Sequence, residues 1–405
     1  MAHAEDQQTV GTLLRGAQVC GPSGVPEVGD VLLVGTAIAA VARDLGGVPG
    51  ALPVAEVDAA GHLLVPSFVD QHSHPTGGGG GGGPETLSFP IPFERYAAAG
   101  IGTVVGCSGN DSVVRRPEAL LARVKGLRRL GLNAHLYTGE IGYPPETITG
   151  SIRRDLALVD EVRGVKAAIG GRGSIVRRSQ LADLAGEAAR GSRSAGRAPV
   201  LHLHVEPDVA GIRLVARAIA HGDVAPETVT VTHVNWNDAV LDEAIGLAER
   251  GVNVDVTACI RPEFFPGTID PLVALRALLD QVDAARVTIS SDAGGNHPDG
   301  HGGPDGHGAL VMHQPDLLAD IFAAGLRTGL LAVPELVRVF AANPAARLGL
   351  TDVGAVRVGA RADVLLVEAD SGRIASAYLA GRRVVAAGQP VVRDQAQNLP
   401  AEGSR

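Results

Sequence analysis

Short apolar runs with alternating polar positions open and close the chain. TLLRGAQVCGP, GDVLLVGTAIAAVARDL and VAEVDAAGHLLV lie within the first 65 residues, and GAVRVGARADVLLVEAD and RIASAYLAGRRVVAAGQP fall between 354 and 390. Alternation with glycine turns predicts β-strands at both ends, assembled into one small sandwich from 1–64 and 352–395. Between them the pattern changes. Brief continuous apolar runs (LLVPSFVDQ, GTVVGCSG, NAHLYTGE, GVKAAIG, PVLHLHV, TVTVTHVNW, VNVDVTACI, RVTISSDAG) are separated by helical periods such as PEALLARVKGLRRLG and DAVLDEAIGLAERG. Strands without alternation, each followed by an amphipathic helix, are the pattern of a parallel sheet buried on both faces. Eight such units over 65–351 predict an α/β fold, a (β/α)₈ barrel carrying the small sandwich. A doubly wound open sheet is the competing fold; it fits less well because no GxGxxG follows the first strand. Residues 396–405 read as a disordered tail.

Barrel chemistry sits at the C-terminal ends of the strands, so polar residues there carry the information. Strand 1 ends in His72-Ser73-His74, and alternation turns both imidazoles the same way. Strand 4 holds Lys166, strand 5 His202, strand 6 His233 and strand 8 Asp292. Each alone has a structural explanation as a hydrogen-bonded or capping residue. Six convergent groups at one end of one barrel point instead to a metal centre. His204, two residues past His202 on the same face, is the alternative ligand on strand 5.

Composition sharpens one of these. Of 35 basic residues only Lys125 and Lys166 are lysine, and Lys166 stands where no solvated charge belongs. An ammonium cannot ligate a metal, and burying one is costly. A desolvated lysine amine can lose its proton and become nucleophilic, which arginine cannot. With CO₂ it forms a carbamate, an anionic ligand able to bridge two metals. A net charge of −9 argues against nucleic acid or an anionic membrane surface as partner. Cys20, Cys107 and Cys259 form no CxxC pair, which suits free thiols. No signal peptide and no apolar run of membrane-spanning length is visible, so the expectation is a cytoplasmic protein.

These ligand positions, together with PSFVDQHSH, GTVVGCSGNDS, TITGSIRRD, GVKAAI, VTHVN, VTISSD and the GxxxxGxxADVLLV run at Gly354–Val367, resemble the binuclear amidohydrolase superfamily, and within it the isoaspartyl (β-aspartyl) dipeptidases. The resemblance implies two divalent ions, Zn²⁺ best suited to the ligand types. One would be held by His72, His74, carboxylated Lys166 and Asp292, the other by the carbamate, His202 and His233. It further implies hydrolysis of a C–N amide bond by a metal-bridging hydroxide, with Asp292 as catalytic base and then acid. The partner would be a small-molecule amide, and the assembly a homo-oligomer.

The substrate contacts depart from that family. Gly79, Gly80 and Asn110 fit its pattern, but its amino-binding glutamate falls on Gly81, with Glu85 as a substitute four residues on. Its tyrosine falls on Ile141, with Tyr143 out of register. One arginine falls on Gly173 beside Arg172, a second on Trp236, and a serine on Asn296. The expectation is therefore an amidohydrolase for a different amide, imide or lactam. The alternatives are a genuine β-aspartyl dipeptidase, a cyclic-amide hydrolase, an N-acyl-amino-acid deacylase, or a metal-free scaffold protein on the same barrel. The histidine- and glycine-rich run Gly294–Gly308 reads as a loop after strand 8 rather than a metal box.

Overall fold

Eight parallel strands, each buried along its whole length apart from single positions at a few ends, build the central sheet. We label them β1 (Phe68–Ser73), β2 (Ile101–Gly106), β3 (Asn133–Thr138), β4 (Val162–Ile169), β5 (Leu201–Val205), β6 (Val229–Thr232), β7 (Asn253–Thr257) and β8 (Val287–Ser290). A computed structural model describes residues 10–46, 53–171, 174–298 and 310–394. The strands are hydrogen-bonded in sequence order. Beyond the last ladder, Asp292 N–H donates to the His72 carbonyl (2.9 Å) and His74 N–H to the Ala293 carbonyl (2.6 Å). Those two bonds draw the end of β1 against the end of β8, so the barrel closes at its catalytic rim.

A helix follows each strand, from Phe93–Ala98 after β1 to Asp316–Thr328 after β8. The sequence explains their ends. Pro117–Leu130 starts on a proline, buries Leu120, Val124 and Leu127, and stops at Gly131, whose φ of 112° a side chain would resist. Asn237 caps Asp238–Ala248 by accepting from Val240 N–H.

Both termini share one separate sheet, as the two β-rich ends predict. Val364–Glu368 pairs antiparallel with His62–Pro66, joining the C-terminal strands to the N-terminal ones in a single nine-stranded sheet. Its own core includes Leu14, Leu33, Ile38, Leu64, Leu366 and Tyr378. The tail over 396–405 and most of the Gly294–Gly308 run lie outside the described residues. Asn296–Pro298 and Leu310–Met312, on either side of that run, pair as a short hairpin over the barrel mouth.

Candidate active site

At the C-terminal end of the barrel a cavity of about 490 Å³ is walled by His72, His74, Lys166, His204, His233 and Asp292. Asp292 is the hub. Its Oδ1 lies 3.1 Å from His74 Nε2 and 3.4 Å from His72 Nε2, and its Oδ2 faces Cys259 Sγ at 3.5 Å. Burial acts to raise its carboxyl, but the bond to His74 and the surrounding imidazoles hold it well below the usual carboxylate range.

Backbone strain marks two of these positions. Asp292 (φ 53°) and His233 (φ 71°) adopt the left-handed conformation without being glycine. Such residues cost about 1–3 kcal/mol each and persist where the surroundings fix them for a purpose. Both sit one or two residues past the end of a barrel strand, where the turn aims the side chain inward.

The donor set fits a cation centre. Buried ring nitrogens of His72 (Nε2), His74 (Nδ1), His202 (Nδ1), His233 (Nε2) and His313 (Nδ1) have no hydrogen-bond partner. Each orphan costs about 1–3 kcal/mol, and those of His72, His74 and His233, on the cavity wall, make sense as nitrogens available to a cation. Burial, with Lys166 or His204 next in weight, drives His72, His202 and His233 well below the ordinary imidazole range, which keeps them in the neutral, ligating form. Thr257 Oγ1 at 2.8 Å from His233 Nδ1 orients that ring so that Nε2 faces the cavity. Lys166 is 1% exposed; its Nζ donates to the Ser108 carbonyl at 3.0 Å and makes no ion pair among the described residues. A bare ammonium is ill placed there. Cys107 and Cys259 also come near, and burial raises the Cys259 thiol far above its usual range.

On strand β5 the two histidines stand at different depths. His204 stands on the cavity wall, its ring 4.4 Å from that of His233. His202 is withdrawn behind it, stacked on Tyr137 at 4.9 Å, with Nε2 2.8 Å from His72 Nδ1. That places His202 to orient His72. Spacing could not separate the two, because both face inward.

The substrate-side positions divide. Gly79, Asn110, Ile141, Trp236 and Asn296 line the cavity. Gly80 and Gly81 do not; Gly81 is exposed, because the run turns outward after the Gly79–Leu87 bridge. Tyr143 is turned into a separate surface groove with Pro144 and Pro145. Arg172 lies outside the described residues. Glu85 is exposed and approaches Gly83 rather than the cavity. The Asn296 amide donates to the Thr86 carbonyl (2.7 Å) and Ser88 Oγ (3.1 Å), so it ties the glycine loop to the hairpin.

Wall residues that escaped the sequence reading include Glu206, Ile260, Phe265 and His313. Glu206 was findable, being two residues past His204 and so on the same face. Phe265 and His313 come from loops, whose course no periodicity encodes.

No protein-family model matches the chain. A dihydroorotase from Syntrophotalea carbinolica is 25% identical over 396 residues, covering 88% of this chain and 89% of that protein. The β-aspartyl dipeptidase of Fervidobacterium islandicum AW-1, solved with β-Asp-Leu, is 29% identical, superposes with a TM-score of 0.82, and covers 94% of this chain and 98% of its own. In sequence and fold the chain is similar to enzymes of the amidohydrolase superfamily. A dihydropyrimidinase from Brevibacillus agri, at 16% identity and TM-score 0.67 over 94% of this chain and 96% of that one, shares the fold. Like these relatives, the chain is a hydrolase acting on C–N bonds, and its described residues include groups that could hold a metal. Among its described residues no helix is long and apolar enough to cross a membrane.

Proposed function

We propose that this amidohydrolase cleaves a neutral amide, imide or lactam rather than an isoaspartyl dipeptide. One observation carries the reading: among the described residues the cavity is walled by Ile141, Trp236, Ile260 and Phe265 and by no arginine. A zwitterionic dipeptide needs charged partners for its carboxylates, each worth about 1.5–3 kcal/mol. An indole set edge to face with Phe265 at 5.4 Å offers instead a flat apolar surface.

In this reading His72, His74, carboxylated Lys166, His204, His233 and Asp292 hold two divalent ions, with His204 taking the place expected of His202. When bound, such ions supply Lewis acidity toward the scissile carbonyl and the attacking water. Asp292 Oδ1 faces His72 and His74 and its Oδ2 faces Cys259, and this carboxylate would take the proton and return it to the departing nitrogen. Ile141, Trp236 and Phe265 exclude water and orient the acyl group. The test is a hydrolysis screen of β-aspartyl, cyclic and N-acyl amides with metal content measured on the same sample. Turnover of neutral amides by metal-loaded protein supports the proposal; preference for β-aspartyl dipeptides contradicts it. The likeness to a dihydroorotase makes cyclic amides the first class to try.

A further inference from the structure

The cavity contains a carboxylate that the reaction does not use. Glu206 follows β5, and strand alternation from His204 turns it to the same face. Pro207 restricts Glu206 to extended backbone, which keeps that direction. Its side chain lines the cavity and is 41% exposed; its one ion-pair neighbour among the described residues is His204 Nε2, at 3.8 Å. Glycine at 171 leaves room for it: a Cβ there would come within 3.1 Å of Glu206 Oε1. Trp236 is fixed alongside, because its Nε1–H donates to the carbonyl of Val205, the residue before Glu206 (3.1 Å). Phe265 meets the indole edge to face. A half-buried carboxylate beside a rigid aromatic wall is the arrangement that recognises an organic ammonium, through a charge-assisted hydrogen bond and the faces of the rings.

We propose that Glu206 is a specificity-determining residue that selects amides carrying a basic nitrogen, bound as the cation between Gly171 and Trp236. This rests on the reading of the cavity as an amide-hydrolase site, and it narrows the substrate class to amides that are neutral at the scissile group and cationic at an amine outside it. The same carboxylate, with Asp292 across the cavity, repels substrates that present a carboxylate there.

The experiment is calorimetric binding of phenethylammonium, phenethyl alcohol and phenylacetate to the metal-loaded protein and to its Glu206→Gln and Glu206→Asp variants. Binding needs no turnover, so it is decided separately from the hydrolysis screen, whose failure would count against the function and not against Glu206. The expected result is that the wild-type protein binds the ammonium at least about tenfold more tightly than the alcohol. Glu206→Gln should erase that difference while leaving alcohol binding unchanged, and Glu206→Asp should retain part of it. Equal binding of ammonium and alcohol, no binding of either, preference for phenylacetate, or a difference that survives in Glu206→Gln would each overturn the proposal. If Glu206→Gln does not fold, the wild-type ratio and Glu206→Asp decide.

Discussion

Asp292 Oδ1 and His74 Nε2 stand 3.1 Å apart although 218 positions separate them in the chain. The contact joins the end of β1 to the turn after β8, and the backbone bond from His74 N–H to Ala293 runs beneath it. Barrel closure and the metal centre are thus the same local structure. Perturbing either should disturb both.

Lys166 is the residue whose chemistry is hardest to replace. Lys166→Ala should fold, because it removes an ammonium with a single backbone acceptor, but it should lose bound metal and lower kcat/KM by more than about a hundredfold, the upper end of what a lost supporting residue costs. Added short-chain carboxylates should restore part of both. Metal analysis of the variant with unchanged activity would speak against the carbamate.

The two strand-five histidines should separate experimentally. His204→Ala should strip metal from the site. His202→Ala removes the partner of His72 Nδ1 and should weaken metal affinity or activity by about 10- to 100-fold without emptying the site. The reverse order of severity in metal content would restore His202 as ligand.

Two glycines of the run after His74 should respond oppositely. Gly79 has φ 82°, and a Cβ there would lie 2.2 Å from Asn296 Nδ2. Gly79→Ala should therefore cost about 1–3 kcal/mol, read as a lower denaturant midpoint. Gly81 has no such conformation, and its nearest neighbour would be Asn110 Nδ2 at 3.7 Å. Gly81→Glu should leave the midpoint unchanged. It should not create a dipeptidase either, because Gly81 is off the cavity wall.

A pH dependence should come from the terminal sheet. Burial lifts the Asp363 carboxyl to about 6, with Arg361 and the Ala380 N–H pulling it only part of the way back. The folded protein then binds a proton that the unfolded chain releases near the ordinary carboxylate value, so this group stabilises fully in acid. That contribution, about 3 kcal/mol, is lost as pH rises from about 4 to 6 and is constant above. Asp363→Asn should flatten that part of the stability profile; an unchanged slope would show that Asp363 is ionised throughout.

Much of this was legible in the residues. Continuous apolar strands with helical intervals dictate the barrel, and His72, His74 and Lys166 stand out because each is a polar group in a strand that should be apolar. Other parts were not legible for identifiable reasons. His202 and His204 share a face, so only depth distinguishes them, and depth is a property of packing. Gly81 keeps its place in the sequence but not on the cavity wall, because a run of glycines fixes no direction for the loop. Asp255 accepts from Gln71, Thr232, Thr288 and Ser290 at 2.6–2.7 Å, a buried polar layer drawn from four strands that no local pattern announces.

The most direct test of the account is kcat/KM for β-Asp-Leu against a set of neutral cyclic and N-acyl amides, some with a pendant amine, using one metal-loaded preparation. Loss of two charged contacts corresponds to at least about a hundredfold in selectivity, so the best neutral-headed amide should exceed β-Asp-Leu by that factor. Hydrolysis of β-Asp-Leu faster than every other amide would contradict the account, since it would mean that a dipeptide clamp survives where Ile141, Trp236 and Phe265 leave none.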